Sequence, residues 1–131
     1  KASMNPIRKN LIKKVNELFK EVAEDDDTFK TFYEQFGKNV MLGIHEDGDS
    51  RKMLSSLLRF NSTESPDDLS SLDDYVTRMK DKEEKIYFIA AESIESIAQS
   101  PFVERLQTKG LEVLFCTAAI DEYSIQSLKD F

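Results

Sequence analysis

Two apolar runs decide the fold of this chain: KIYFIA at residues 85–90 and LEVLFC at residues 111–116. Continuous apolar runs of this length predict strands that are buried on both faces. Between them, residues 93–99 have a helical pattern, and a second helix starting at Pro101 is stopped by Gly110. A strand, helix, strand order with buried strands predicts parallel pairing through a right-handed crossover.

The residues before these runs have helical periodicity instead. Asn5 and Pro6 are typical of a helix start, and apolar side chains then recur at helical spacing from Ile7 to Val22. A second helix carries an aromatic stripe that we expect to form a helix–helix core, and not a cofactor site: Phe29, Phe32, Tyr33 and Phe36. A third helix is predicted at 51–60.

A stretch rich in Ser, Asp and Pro at 61–70 is predicted to be a linker. Ser71 and Asp74 then resemble a capping box for a short helix through Met79, and Asp121 is expected to begin a last helix through Leu128. The predicted class is α/β: a three-helix coil at 4–60, the linker at 61–70, and a small α/β/α lobe with a short parallel sheet at 71–131.

The chain has 131 residues, of which 40% are hydrophobic and 33% are charged, so it can build a core. Its net charge of −7 is uneven, because residues 1–20 carry six Lys or Arg and one acid. An acidic body disfavours nucleic acid as a partner. No apolar run is long enough to span a bilayer. Whether residues 1–3 are native or derive from cloning stays open.

Motifs for chemistry are weak. The four glycines are scattered, so there is no phosphate-binding loop. The only histidine, His45, lies beside two acids in a polar turn, which does not make a metal site. Cys116 lies within an apolar strand and is expected to be a buried structural thiol. Asn61 begins the triplet NST, a glycosylation pattern that matters only in a secretory compartment.

Several segments, in order, resemble the heat-shock protein 90 chaperone family. They are IRKNLIKK at 7–14, FYEQFGKN at 32–39, LGIHED at 42–47, LLRF at 57–60, SLDDYVTRM at 71–79, SPF at 100–102, EVLF at 112–115 and IDEY at 120–123. The resemblance covers the chain from about residue 7 to its end. It identifies an internal segment from the later part of the family's middle segment.

The resemblance implies a helical coil followed by a small α/β/α lobe, in agreement with the pattern above. It also implies that ATP and magnesium bind an amino-terminal domain outside this chain, that the catalytic loop lies upstream, and that homodimerisation belongs to a carboxy-terminal domain. We therefore expect no catalytic, cofactor-binding or metal residue in this chain. We expect a monomer that contributes to client and co-chaperone binding in protein folding and the stress response.

Two questions stay open at this stage. Some segments are similar to endoplasmin, the endoplasmic-reticulum member, and others to cytosolic members, so the compartment is either the cytoplasm or the endoplasmic reticulum. Ala118 and Ala119 depart from the family's usual acidic–Pro pair, which is compatible with a divergent protist or organellar member. The alternative function is a stand-alone small α/β enzyme or a small-molecule binding domain.

Overall fold

A computed structural model describes residues 4–80 and 82–129, so the question about residues 1–3 lies outside the described residues. The described part contains seven helices: α1 (Met4–Ala23), α2 (Asp26–Glu46), α3 (Arg51–Ser55), α4 (Leu72–Arg78), α5 (Ile94–Ala98), α6 (Pro101–Thr108) and α7 (Ala119–Gln126). It also contains three strands: β1 (Asn61–Ser62), β2 (Tyr87–Ala90) and β3 (Val113–Cys116). Two compact units divide at Gly37 and Lys38.

The first unit contains α1 and the start of α2. Phe32 lies at the centre of an aromatic group, with ring centroids 5.3 Å from Phe19, 5.7 Å from Phe29 and 5.4 Å from Phe36. The stripe therefore makes the predicted contact between two helices. Phe29 is buried, but Phe36 is 50% exposed, so its assignment to the core was wrong.

Helix α1 confirms the helical periodicity but not its predicted cap. It begins at Met4, which places Asn5 and Pro6 inside its first turn, where a proline costs no hydrogen bond. Its apolar residues at Ile7 and Leu11 are 59% and 61% exposed. The apolar pattern thus predicted the helix correctly. In the described structure, however, the apolar side chains of α1 are largely exposed to solvent.

In the second unit the three strands form one sheet in the order β1-β3-β2. The predicted parallel pairing is confirmed: Tyr87 is paired with Val113, and Ala90 with Cys116. The first strand was not predicted. It pairs antiparallel with β3, with Asn61 opposite Phe115.

The segment 61–70 is therefore not only a linker. After β1 it turns back on itself, and Phe60 and Ser70 exchange backbone hydrogen bonds of 2.9 Å. The predicted boundaries of 4–60, 61–70 and 71–131 differ from the compact units of the structure, which divide at Gly37.

Helices cover both faces of the sheet, which gives the predicted α/β/α layering. On one face, Ile97 of α5 and Val103 of α6 pack with Val113 and Phe115. On the other face, α7 contacts β2 and β3. The central strand β3 is buried at every position, as predicted, whereas β2 is at the edge, with Phe88 38% exposed.

Two predicted helix ends are corrected. The third helix was expected at 51–60 but ends at Ser55, because Leu57 and Leu58 turn into the core and Phe60 joins the bridge to Ser70. The last helix begins at Ala119, two residues before the predicted start.

The local signals at other helix ends are confirmed. Ser71 and Asp74 form the reciprocal capping box of α4, with hydrogen bonds of 3.1 and 3.0 Å. Gly110, at the end of α6, has φ of 75°, a left-handed conformation that favours glycine.

Candidate functional site

The polar centre of the second unit is the carboxylate of Glu112, which immediately precedes β3. It accepts hydrogen bonds from Arg78 Nε at 3.0 Å, from Arg78 Nη2 at 2.6 Å and from Ser62 Oγ at 2.6 Å. Glu112 is only 7% exposed. A carboxylate at this depth requires a charged partner, and the two-point contact of a guanidinium is the strongest one available.

Arg78 is the last residue of α4, and the same guanidinium reaches a second segment. Its Nη2 also donates to Ser70 Oγ at 3.1 Å. The hydrogen bonds to Glu112 raise the pKa of Arg78, so its positive charge is maintained at any physiological pH. One side chain thus joins α4, the turn after β1, and β3.

Tyr75, on the same helix, connects the two parallel strands. Its hydroxyl donates to the Glu112 carbonyl oxygen at 2.6 Å and accepts from the Tyr87 backbone N–H at 3.1 Å. Burial raises the pKa of Tyr75, so the phenol keeps its proton at neutral pH. The hydroxyl adds one bridging rung to the ladder between β2 and β3, next to the first paired residues, Tyr87 and Val113.

We call this set the Glu112 joint: Ser62, Ser70, Tyr75, Arg78 and Glu112. It connects α4 with all three strands through hydrogen bonds between side chains and from side chains to the backbone. Its ionised groups are paired with each other, so it has no free base or nucleophile. Chemically, the joint can fix the position of α4 relative to the sheet.

The residues that the sequence singled out lie elsewhere. Cys116 is buried on β3, and burial, followed by the nearby carboxylates of Asp121 and Glu122, raises the pKa of its thiol to about 12. His45 is exposed, and its ring lies 6.3 Å from that of Tyr123. Among residues 4–80 and 82–129, no group of three or more His, Cys, Asp or Glu could hold a metal ion.

Asn61 is engaged within β1 and is not on a free loop. Its Nδ2 donates to the Pro66 carbonyl at 3.2 Å. In the same triplet, the Thr63 hydroxyl accepts from the Val113 N–H at 3.1 Å. The NST triplet of the glycosylation pattern therefore lies along β1 and is hydrogen-bonded to β3.

Two open depressions occur in the second unit. A groove of about 440 Å³ lies along β2, and a depression of about 680 Å³ lies beside Lys52 and Asp73. Neither contains a member of the Glu112 joint or Cys116. Within the described residues, no helix has the length and apolarity that crossing a membrane requires.

Sequence reasoning missed the Glu112 joint, although one signal was present. Glu112 interrupts the apolar run LEVLFC, and a charge within a buried strand must have a partner. The sequence does not reveal which cation supplies it, since Arg78 lies 34 positions away.

This fold is similar to a known class of chaperone domain. The solved middle domain of a Plasmodium falciparum heat shock protein matches with a TM-score of 0.94 and 30% sequence identity, over 99% of this chain and 53% of that chain.

The family follows from the sequence comparisons. The sequence model of the Hsp90 protein family matches residues 1–131. Heat shock protein 83 of Leishmania donovani is 54% identical over 125 residues, which are 95% of this chain and 28% of that protein. The chain belongs to the Hsp90 family and corresponds to part of its middle segment, and the similarity to protist relatives agrees with the divergent protist alternative. It spans about a quarter of the curated relative and about half of the solved domain.

Proposed function

We propose that this chain is the middle-segment scaffold of an ATP-dependent chaperone, which couples ATP-driven closure to the binding of clients and co-chaperones. The observation that carries the proposal is the match to an Hsp90-family middle domain over nearly the whole chain. The stand-alone enzyme or small-molecule binder has no such support.

The Glu112 joint gives this proposal a physical basis. A segment that transmits movement between domains must turn as a rigid body, because a soft segment would absorb the movement. The joint ties α4 to the sheet at the end where Tyr87 begins β2 and Glu112 precedes β3. We propose that this stiffness is what the chaperone cycle uses.

The test uses the full-length parent protein with Glu112→Gln. The neutral amide loses the charge-assisted bonds to Arg78, so we expect slower client refolding, while ATP binding by the amino-terminal domain is unchanged. The matched control is Lys14→Ala, which breaks an exposed ion pair of 3.3 Å to Glu17 and should have no effect. A folded Glu112→Gln protein with normal client refolding would contradict the coupling role.

We propose that the chain alone is not an enzyme, and that ATP and magnesium act in the full-length protein. Calorimetric titration of the chain with Mg-ATP should give no heat of binding. A stoichiometric isotherm with micromolar affinity would overturn this. We also propose that the chain alone is a monomer, so light scattering should return 15.1 kDa. A stable dimer would show that an interface lies in this segment.

For the compartment, we propose the cytoplasm. Asn61 Nδ2 donates to the Pro66 carbonyl in the turn after β1, and the Thr63 hydroxyl accepts from the Val113 N–H of β3, so both side chains are engaged, which does not suit an acceptor for glycosylation. Treatment of the native protein with a glycosidase for N-linked sugars should therefore leave its mass unchanged. A decrease in mass that Asn61→Gln abolishes would place the protein in the secretory route.

A further inference from the structure

The turn after β1 contains a serine that directly precedes a proline. Ser65 is followed by Pro66 and then by two acids, Asp67 and Asp68. Proline has no N–H and biases the residue before it toward an extended backbone. A hydroxyl on an extended segment, directly before a proline, is the substrate that proline-directed protein kinases select. The sequence of this turn therefore fits a phosphorylation site.

The turn is also accessible to an enzyme. Ser65 is half-buried, whereas Ser62 and Ser70, at the two ends of the turn, are buried. The residues on either side of Ser65 are exposed: Glu64, Pro66, Asp67 and Asp68. Exposed turns open locally at a low cost in free energy, which lets a kinase draw the segment into its active site. Ser65 is therefore the serine of this turn that a kinase can reach.

One other serine in the sequence precedes a proline, and its structural setting is different. Ser100 is followed by Pro101, the first residue of α6, so the residues after it are held in a helix. To extend this segment, a kinase would have to unwind α6, whose Val103 packs in the core beside the sheet. Ser100 is thus a matched control for Ser65.

The closed form of the turn depends on the hydroxyl of Ser65. This hydroxyl donates a hydrogen bond of 2.8 Å to the Asp68 carbonyl oxygen. A phosphate ester leaves no proton on that oxygen, so phosphorylation removes the donor. The phosphate also adds about 1.5 to 2 negative charges at pH 7, and like-charge repulsion from neighbouring acids is disruptive. Glu64, Asp67 and Asp68 are all within three positions of Ser65. Phosphorylation should therefore destabilise the closed turn.

The turn is connected to the Glu112 joint through Ser62. The Ser65 N–H donates to Ser62 Oγ at 3.2 Å, and the Ser62 N–H donates to the Ser65 carbonyl at 3.1 Å. Ser62 Oγ in turn donates to the Glu112 carboxylate at 2.6 Å. Opening the turn removes both contacts between Ser62 and Ser65, so a change at residue 65 is transmitted to β1.

We propose that Ser65 is a phosphorylation site for a proline-directed protein kinase, and that the phosphate opens the turn after β1. In the transfer, Ser65 Oγ bonds to the γ-phosphorus of ATP, and the bond from that phosphorus to the bridging oxygen breaks to release ADP. The hydroxyl proton passes to the aspartate base of the kinase. The proposal concerns a modification of the chain and does not depend on the coupling role of the Glu112 joint.

The first test incubates the full-length parent protein with a mitogen-activated protein kinase and Mg-ATP, and locates phosphate by peptide mass spectrometry. We expect phosphate on the peptide that contains Ser65. Ser65→Ala should abolish this phosphate, whereas Ser100→Ala should leave it unchanged. A peptide without phosphate, or one that is still phosphorylated in the Ser65→Ala variant, would overturn the proposal.

The second test compares amide hydrogen exchange in the parent protein before and after phosphorylation. The Ser62 and Ser65 amides should exchange at least about tenfold faster after phosphorylation, because their hydrogen bonds in the turn are lost. The Ala91 amide, which donates to Cys116 of β3, is the internal control and should not change. Arg78 is within electrostatic reach of Glu64, so a phosphate that paired with Arg78 would close the turn further. Slower or unchanged exchange at Ser62 and Ser65 would therefore overturn the proposed opening.

Discussion

Replacing Tyr75 by Phe isolates the contribution of one hydroxyl in the Glu112 joint. The ring is fully buried and is retained in the variant, so apolar burial does not change. Two hydrogen bonds are lost, at 2.6 Å to the Glu112 carbonyl and at 3.1 Å from the Tyr87 N–H. A buried group left without a partner costs about 1–3 kcal/mol. Because the Glu112 carbonyl is buried and the Tyr87 N–H only partly so, we expect a loss of about 2–3 kcal/mol.

The assay for Tyr75→Phe is urea unfolding monitored by circular dichroism. The midpoint should fall while the m-value stays constant, because the folded surface is the same. Amide exchange should accelerate at Tyr87, where the added rung is lost. Tyr123→Phe is the control: this side chain is 61% exposed, and the change should cost less than about 0.5 kcal/mol. A loss below about 0.5 kcal/mol for Tyr75→Phe would show that water replaces the hydroxyl, and would contradict the role of this hydroxyl in joining β2 and β3.

Three further outcomes are expected. Phe29→Ala should cost about 3–5 kcal/mol in urea unfolding, and the half-buried Phe32→Ala about 2 kcal/mol, so the reverse order would contradict the packing of the first unit. Cys116, whose thiol pKa is about 12, should resist alkylation at pH 8 until denaturant is added, and Cys116→Ser should not abolish chaperone function in the parent; rapid native alkylation would contradict its burial. Burial is the largest influence on Asp121 and raises its carboxyl pKa, so the ionised carboxylate lowers the stability of the fold above that pKa, and protonation relieves this cost as the pH falls. Asp121→Asn should therefore be more stable than the native chain at pH 7. Thermal melts at a series of pH values should show that this gain shrinks toward pH 4.

The sequence predicted those parts of the fold that depend on local patterns. The parallel pair followed from two apolar runs separated by helices, and the start of α4 followed from Ser71 and Asp74. The turn at Gly110 followed from the need for a positive φ after α6. In each case the residues that specify the structure lie within a few positions of it.

The parts that were missed depend on distant partners. Strand β1 has two residues, too few for a recognisable alternation, and its Ser62 is satisfied by Glu112, 50 positions away. The edge position of β2 was also missed, because an apolar run predicts a strand but does not reveal which other strands will pair with it.

The energetics of the Glu112 joint suggest what its ion pair contributes. A buried pair often adds little net stability compared with apolar residues of similar size, because both charges must be desolvated. The ion pair contributes instead to the register of β1. A two-residue strand has almost no hydrophobic pattern to fix its alignment, and its Ser62 side chain is held by the Glu112 carboxylate that Arg78 orients. We therefore predict that the double variant Arg78→Met with Glu112→Leu keeps its stability within about 1 kcal/mol in urea unfolding. Its amide resonances from Asn61 to Ser65 should nevertheless broaden or double as β1 samples other alignments, whereas sharp single resonances in a folded double variant would show that the backbone turn alone sets the register.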